Sequence, residues 1–134
     1  MTQRLSGWEQ ALADYLILKR DSEFEYGIHD CAHFVAGAVE TMTGENPMSQ
    51  INQDYENEFG SLRVLKRLGF DSVEGFVDSK FNEIPIGYAQ TGDIALFEDC
   101  IGIVISTKAV FVSEVGYTFV DRCDWAKAWE VGRG

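Results

Sequence analysis

Apolar residues recur at helical spacing through the first half of the chain and gather into short β-branched and aromatic runs in the second. Trp8, Ala11, Leu12, Tyr15 and Leu16 fall at i, i+3, i+4, i+7 and i+8, which predicts a helix fading near Arg20. Ser6 and Glu9 stand at capping-box spacing ahead of it. A polar stretch, 21–27, leads to a second helix that Asp30 is placed to cap, with Cys31, Phe34, Val35, Ala38, Val39 and Met42 on one face. Gly44 ends that helix, and Pro47 follows. Ser61 heads a shorter helix through Leu62, Leu65 and Leu68, stopped by Gly69. Asp71-Ser72 opens another, through Val73, Phe76, Val77 and Lys80.

After Pro85 the period changes. Segments 93–97, 101–106, 109–113 and 117–121 read as strands punctuated by Gly92, Gly102 and Gly116, and the last three suit an antiparallel meander. Residues 125–129 read as a terminal helical turn. Helices first and strands second predict a single α+β domain over 1–134, with the helices packed on one side of a small antiparallel sheet.

A chain of 134 residues with 46% hydrophobic and 25% charged residues has the size and balance of one soluble domain. Its formal net charge of −11 opposes a nucleic-acid groove or an anionic membrane surface, so neither partner is expected. Splitting the chain at residue 67 leaves about −5 and −6, so the acidity belongs to the whole surface. Three scattered cysteines, Cys31, Cys100 and Cys123, do not make a disulfide scaffold or a zinc-finger spacing. The first residues lack an apolar signal core, and the apolar runs are too short to span a bilayer. The expectation is a chain made in a reducing cytoplasm and not exported by a signal of its own.

Cys31 carries the candidate chemistry. Behind an Asp30 cap its sulfur sits at the first helical turn, where unpaired N–H groups and the dipole favour a thiolate. Nucleophilic cysteines use such a place, with a base from a neighbouring strand. The same residue also begins an apolar stripe, where a free cysteine packs as a small hydrophobe. The histidines are His29 and His33. His33, two residues along the helix, points away from the sulfur, whereas His29 in the preceding loop could fold back as a base. The alternative is that both make local hydrogen bonds.

Asp30-Cys31-Ala32-His33-Phe34-Val35, with Thr43-Gly44 after the helix, resembles the cysteine motif of NlpC-type cell-wall cysteine peptidases. Thr91 to Phe97 resembles that family's Gly-Asp-hydrophobic strand, and Ile101 to Ile105 the strand after it. The resemblance implies a papain-like fold from about Gly27 to Phe119. It also resembles, over nearly its whole length, an uncharacterised phage and prophage family, through His29-Asp30-Cys31, Thr43 to Pro47, Arg63 to Gly69 and Ala128 to Gly132. That likeness implies a tail-tip or tail-assembly component, located in the virion tail, made in the host cytoplasm and partnered by other tail proteins.

The resemblance also places the family's catalytic histidine where this chain has Cys100, and the residue that would orient it near Val112 or Ser113. A thiol cannot replace imidazole as a general base at neutral pH. The expected function is therefore a structural tail component with a catalytically degenerate peptidase fold. The alternative is an active cysteine peptidase or amidase on cell-wall peptides, with Cys31 as nucleophile and His29 as base. No cofactor is expected. Cys31, Cys100, Cys123 and a histidine would suit a metal by residue type, but their spacing does not support a site. Asp93 reads as a turn and strand-start residue. Trp8, Trp125 and Trp129 read as core or as partner anchors, and Asp54, Glu56 and Glu58 as a solvated face.

Overall fold

The computed structural model describes residues 3–22, 24, 30–48, 65–67 and 69–132. Among the described residues, helices lie on the N-terminal side of a six-stranded sheet. Helix α1 is Trp8–Lys19, α2 is Cys31–Thr43 and α3 is Val73–Lys80. Asp30 caps α2 by accepting the His33 N–H, and Gly44 closes it in the left-handed region at φ 85°. Ser72 caps α3 through the Gly75 N–H. Residues 65–67 are helical and end at Gly69, where the Phe70 N–H reaches the Leu65 carbonyl. The expected cap at Ser61, and the acidic cluster, lie outside the described residues.

Helix α1 starts differently from expectation. Its N-cap is Gly7 at φ 79°, with no side-chain cap, so the Ser6–Glu9 box does not form. The approaching chain is held from both sides: Arg4 N–H donates to Gly132 and Leu5 N–H to Met42. A tight turn from Leu5 to Trp8 must then carry it into the helix, and glycine accepts the required dihedral without strain.

The strands are β1 Glu83–Ile84, β2 Ile94–Phe97, β3 Cys100–Ile105, β4 Lys108–Ser113, β5 Gly116–Asp121 and β6 Lys127–Trp129, in spatial order β1-β6-β2-β3-β4-β5. Every pairing is antiparallel; β3 to β5 form the expected meander, and β2 extends it by pairing with β3. The expected terminal helical turn is corrected here. Residues 122–124 form one 3-10 turn, and Lys127–Trp129 is a strand between β1 and β2. Trp129 faces the helix-side core and Ala128 the opposite one, a burial on two faces that a strand satisfies and an exposed turn does not.

Helix-side residues Ile94, Leu96, Ile101, Ile103, Val110 and Val112 alternate with far-side residues Ala95, Val104, Ala109 and Phe111. The near face packs on Leu12, Phe34, Val39, Met42 and Val77, while Trp125 and Ala89 help cover the far face. Gly102 is required in β3, because a Cβ there would meet the Val110 carbonyl oxygen and lie 2.8 Å from the Phe111 ring.

Asp93 ties the two ends of the domain together. It is fully buried. Its Oδ1 accepts from Arg4 Nη2 at 2.9 Å and from Val131 N–H at 3.1 Å, and its Oδ2 accepts from Gln90 N–H at 2.8 Å. The Arg4 guanidinium also donates to the Val131 and Thr91 carbonyls and lies over the Trp8 ring.

Candidate functional site

Cys31 is the first residue of α2 and half-buried; Cys100 is the first residue of β3 and exposed. The strand carries Ile101 and Ile103 into the core that Cys31 packs against, which sets the start of the helix beside the start of the strand. There the Cys31 thiol hydrogen-bonds the Cys100 sulfur and meets the Ile101 backbone N–H. The first two of the sequence-derived site residues are therefore brought together. His29 lies outside the described residues.

The electrostatics at Cys31 favour the thiol. Its pKa is raised well above the ordinary cysteine value. The main cause is its hydrogen bond to Cys100, followed by burial, with the Cys100 charge and the Asp30 carboxylate adding to it and the Ile101 N–H opposing it. The helix start was expected to favour a thiolate, but the cap that creates this start also places an anion beside the sulfur. The sulfhydryl partner, burial of Cys31 itself and the negative cap together outweigh the dipole, whose contribution is only about 0.3–1 kcal/mol in ordinary settings.

His33 turns back to its own cap. Its Nδ1 lies 2.9 Å from Asp30 Oδ1, which also accepts the His33 backbone N–H at 2.9 Å. On β4, Val112 is buried in the helix-side core, and the Ser113 hydroxyl donates to the Gly116 carbonyl within its own hairpin. Neither position offers an imidazole or amide to orient a base. Among the described residues, no group of three His, Cys, Asp or Glu side chains is placed to hold a metal, and no helix is long and apolar enough to cross a membrane. Trp125 and Trp129 are buried core residues, and Trp8 is partly buried against the same core.

Among the described residues, the arrangement offers thiol chemistry. A thiol, a backbone donor beside it and a helix start are present, and the start of the neighbouring strand offers a second thiol. Two participants escaped the sequence reading. The Ile101 N–H is a backbone group with no side-chain signature, and the adverse charge of Asp30 is the other side of its capping role.

A cysteine at a helix start, set against the first residue of a strand in a helix-on-sheet α+β domain, defines a thiol-bearing class of architecture. Residues 3–131 match the family described as a domain of unknown function, DUF6950, and the chain belongs to that family. No curated protein matches it.

Proposed function

We propose that the protein is a structural component of a phage tail tip or of tail assembly, built on a catalytically degenerate NlpC-type, papain-like fold. The observation that carries the degenerate reading is the Cys31 thiol facing Cys100 and keeping its proton. A cysteine hydrolase needs its nucleophile deprotonated and a second group to take and return a proton at the leaving atom. Cys100 is the wrong group for that exchange at neutral pH. The tail assignment and the tail-protein partners rest on the resemblance of His29-Asp30-Cys31, Thr43 to Pro47, Arg63 to Gly69 and Ala128 to Gly132 to a tail-region family. The order of a capped cysteine helix followed by an antiparallel meander supports the papain-like reading.

The competing reading is an active peptidase or amidase on cell-wall peptides. It draws on the helix start and on the Ile101 N–H, which lowers the Cys31 pKa. Complementing a deletion of the gene with Cys31→Ala separates the two. The structural reading expects particle infectivity close to wild type and no release of stem-peptide fragments from purified cell wall by the wild-type protein. Normal tails with infectivity lost in Cys31→Ala, together with fragment release by the wild type, would establish the hydrolase instead.

A further inference from the structure

The two edges of the sheet are finished differently. At one edge β1 is two residues long and Pro85 follows it, so few backbone groups stand open there. At the other, β5 runs six residues, Gly116–Asp121, and among the described residues it pairs with β4 alone. An antiparallel ladder turns the N–H and C=O of every second residue away from the partner strand. The Arg122 N–H bond to the Thr107 carbonyl sets the phase, which leaves Tyr117, Phe119 and Asp121 facing outward. No lysine, proline or bulge blunts this row, and its one charge, Asp121 at the far end, is held by Lys108.

Exposed apolar side chains gather at the same edge. Val115 is 90% and Phe119 58% exposed. Ile17 and Leu18 stand exposed at the end of α1, which the Tyr117 hydroxyl ties to β5 by donating to the Leu16 carbonyl. Tyr117 and Phe119 lie on the helix side of the strand, opposite Val112 and Val110, with their rings edge to face at 6.4 Å. An apolar, unguarded edge is a template for a further strand. We infer that β5 is a self-association edge, through which two copies of this chain pair antiparallel and join their six-stranded sheets into one.

Charge and geometry favour a second copy over a foreign strand. The chain carries −11 overall, which would draw a basic partner, yet the charges at this edge balance. Lys19, Arg20 and Lys108 stand against Asp21, Glu114 and Asp121, and two of these pairs, Arg20–Asp21 and Lys108–Asp121, are in contact. A neutral, apolar edge gives a cationic segment little to hold and matches its own image. A two-fold axis at Thr118 sets Tyr117 of each copy opposite Phe119 of the other, pairs aromatic with aromatic, and leaves Asp121 at the ends. An axis at Phe119 would instead set Tyr117 against the Asp121 carboxylate. The inference concerns the strand edge alone and holds whether or not the protein has the tail role proposed above.

The test measures the mass of the full-length, reduced protein by sedimentation equilibrium over a concentration series. The mass should rise from 15.0 kDa toward twice that value, and rise further at higher salt, which screens the −11 charge that each copy carries. Phe119→Lys should weaken the association by more than about tenfold. Leu5→Lys, at an exposed leucine beside the end of α2, should leave it unchanged. Circular dichroism checks that each variant keeps the fold. Thr118→Cys, oxidised with diamide, should give a dimer linked through position 118, because non-hydrogen-bonded antiparallel partners bring their Cα atoms to about 4.5 Å, within disulfide reach. A mass fixed at 15.0 kDa at every concentration and salt, a dimer that Phe119→Lys leaves intact and that does not link at position 118, or a monomer that binds a separate protein through this edge would overturn the inference.

Discussion

Replacing Asp93 with alanine removes the anion on which Arg4, Gln90 and Val131 converge, and its cost follows from what is left behind. The Gln90 and Val131 N–H groups lose acceptors at 2.8 and 3.1 Å, and the Arg4 guanidinium loses one at 2.9 Å. Asp93 is fully buried and the Arg4 side chain only 8% exposed, so water cannot freely replace the carboxylate. Breaking a buried ion pair by deleting one partner costs about 3–5 kcal/mol, and an unsatisfied buried donor costs about 1–3 kcal/mol. These contributions overlap, because Arg4 keeps its bonds to Val131 and Thr91, so a total of about 3–5 kcal/mol is expected. At about 2.1 cal/mol/K per residue, unfolding a chain of this length carries an entropy of roughly 0.28 kcal/mol/K. Thermal denaturation followed by circular dichroism at neutral pH should then show Tm falling by roughly 11–18 °C. Arg4→Met should also destabilise, and the double variant should cost less than the two single losses combined. A Tm for Asp93→Ala within about 3 °C of wild type would refute the argument, since that corresponds to less than about 1 kcal/mol.

Two further perturbations probe other parts of the fold. Gly102→Ala drives a Cβ into the Val110 carbonyl and the Phe111 ring, so a loss of about 1–3 kcal/mol is expected in urea unfolding; an unchanged midpoint would contradict that packing. Burial pushes the Tyr117 phenol up to about 12, while its hydroxyl donates to the Leu16 carbonyl. A raised folded-state value means the stabilisation is complete below the unfolded tyrosine value near 10 and is lost as pH rises through about 12. Stability should therefore fall over that alkaline window, less steeply in Tyr117→Phe, and an identical pH profile for the two proteins would contradict it.

The parts of the fold written locally in the chain were legible there. Asp30 and Gly44 bracket α2 because cap chemistry acts within a few residues, and the four strands β2 to β5 declare themselves through β-branched runs between tight turns. The start of α1 was misread because distant partners decide it: bonds from Arg4 to Gly132 and from Leu5 to Met42 override the Ser6–Glu9 signal. Strands β1 and β6, of two and three residues, are too short to show a period and exist through long-range pairing. Lys127-Ala128-Trp129 therefore looked like the continuation of a helical turn from Trp125. Asp93 carried a local turn signal that hid its buried role, because its cation is 89 positions away.

The candidate site divides in the same way. The place of Cys31 at a helix start follows from Asp30 alone, whereas its contact with Cys100 needed the likeness between the strand at Ile101 and a peptidase strand. The sign of the effect on the thiol was not legible. It depends on how closely Cys100 and Asp30 approach the sulfur and on how far burial removes it from water, all set by the docking of α2 on β3.

The central claim is that Cys31 is a protonated thiol at neutral pH, and its alkylation rate against pH in the folded, reduced protein tests that most directly. Peptide-resolved labelling with iodoacetamide, with exposed Cys123 as the internal reference, gives the rate at each thiol separately. Cys31 is expected to react more slowly than Cys123 throughout the neutral range, and to accelerate only above the free-cysteine value of about 8.5. Rapid labelling of Cys31 that persists below about pH 7 would reveal an activated thiolate, contradict the degenerate site and return the hydrolase reading to first place.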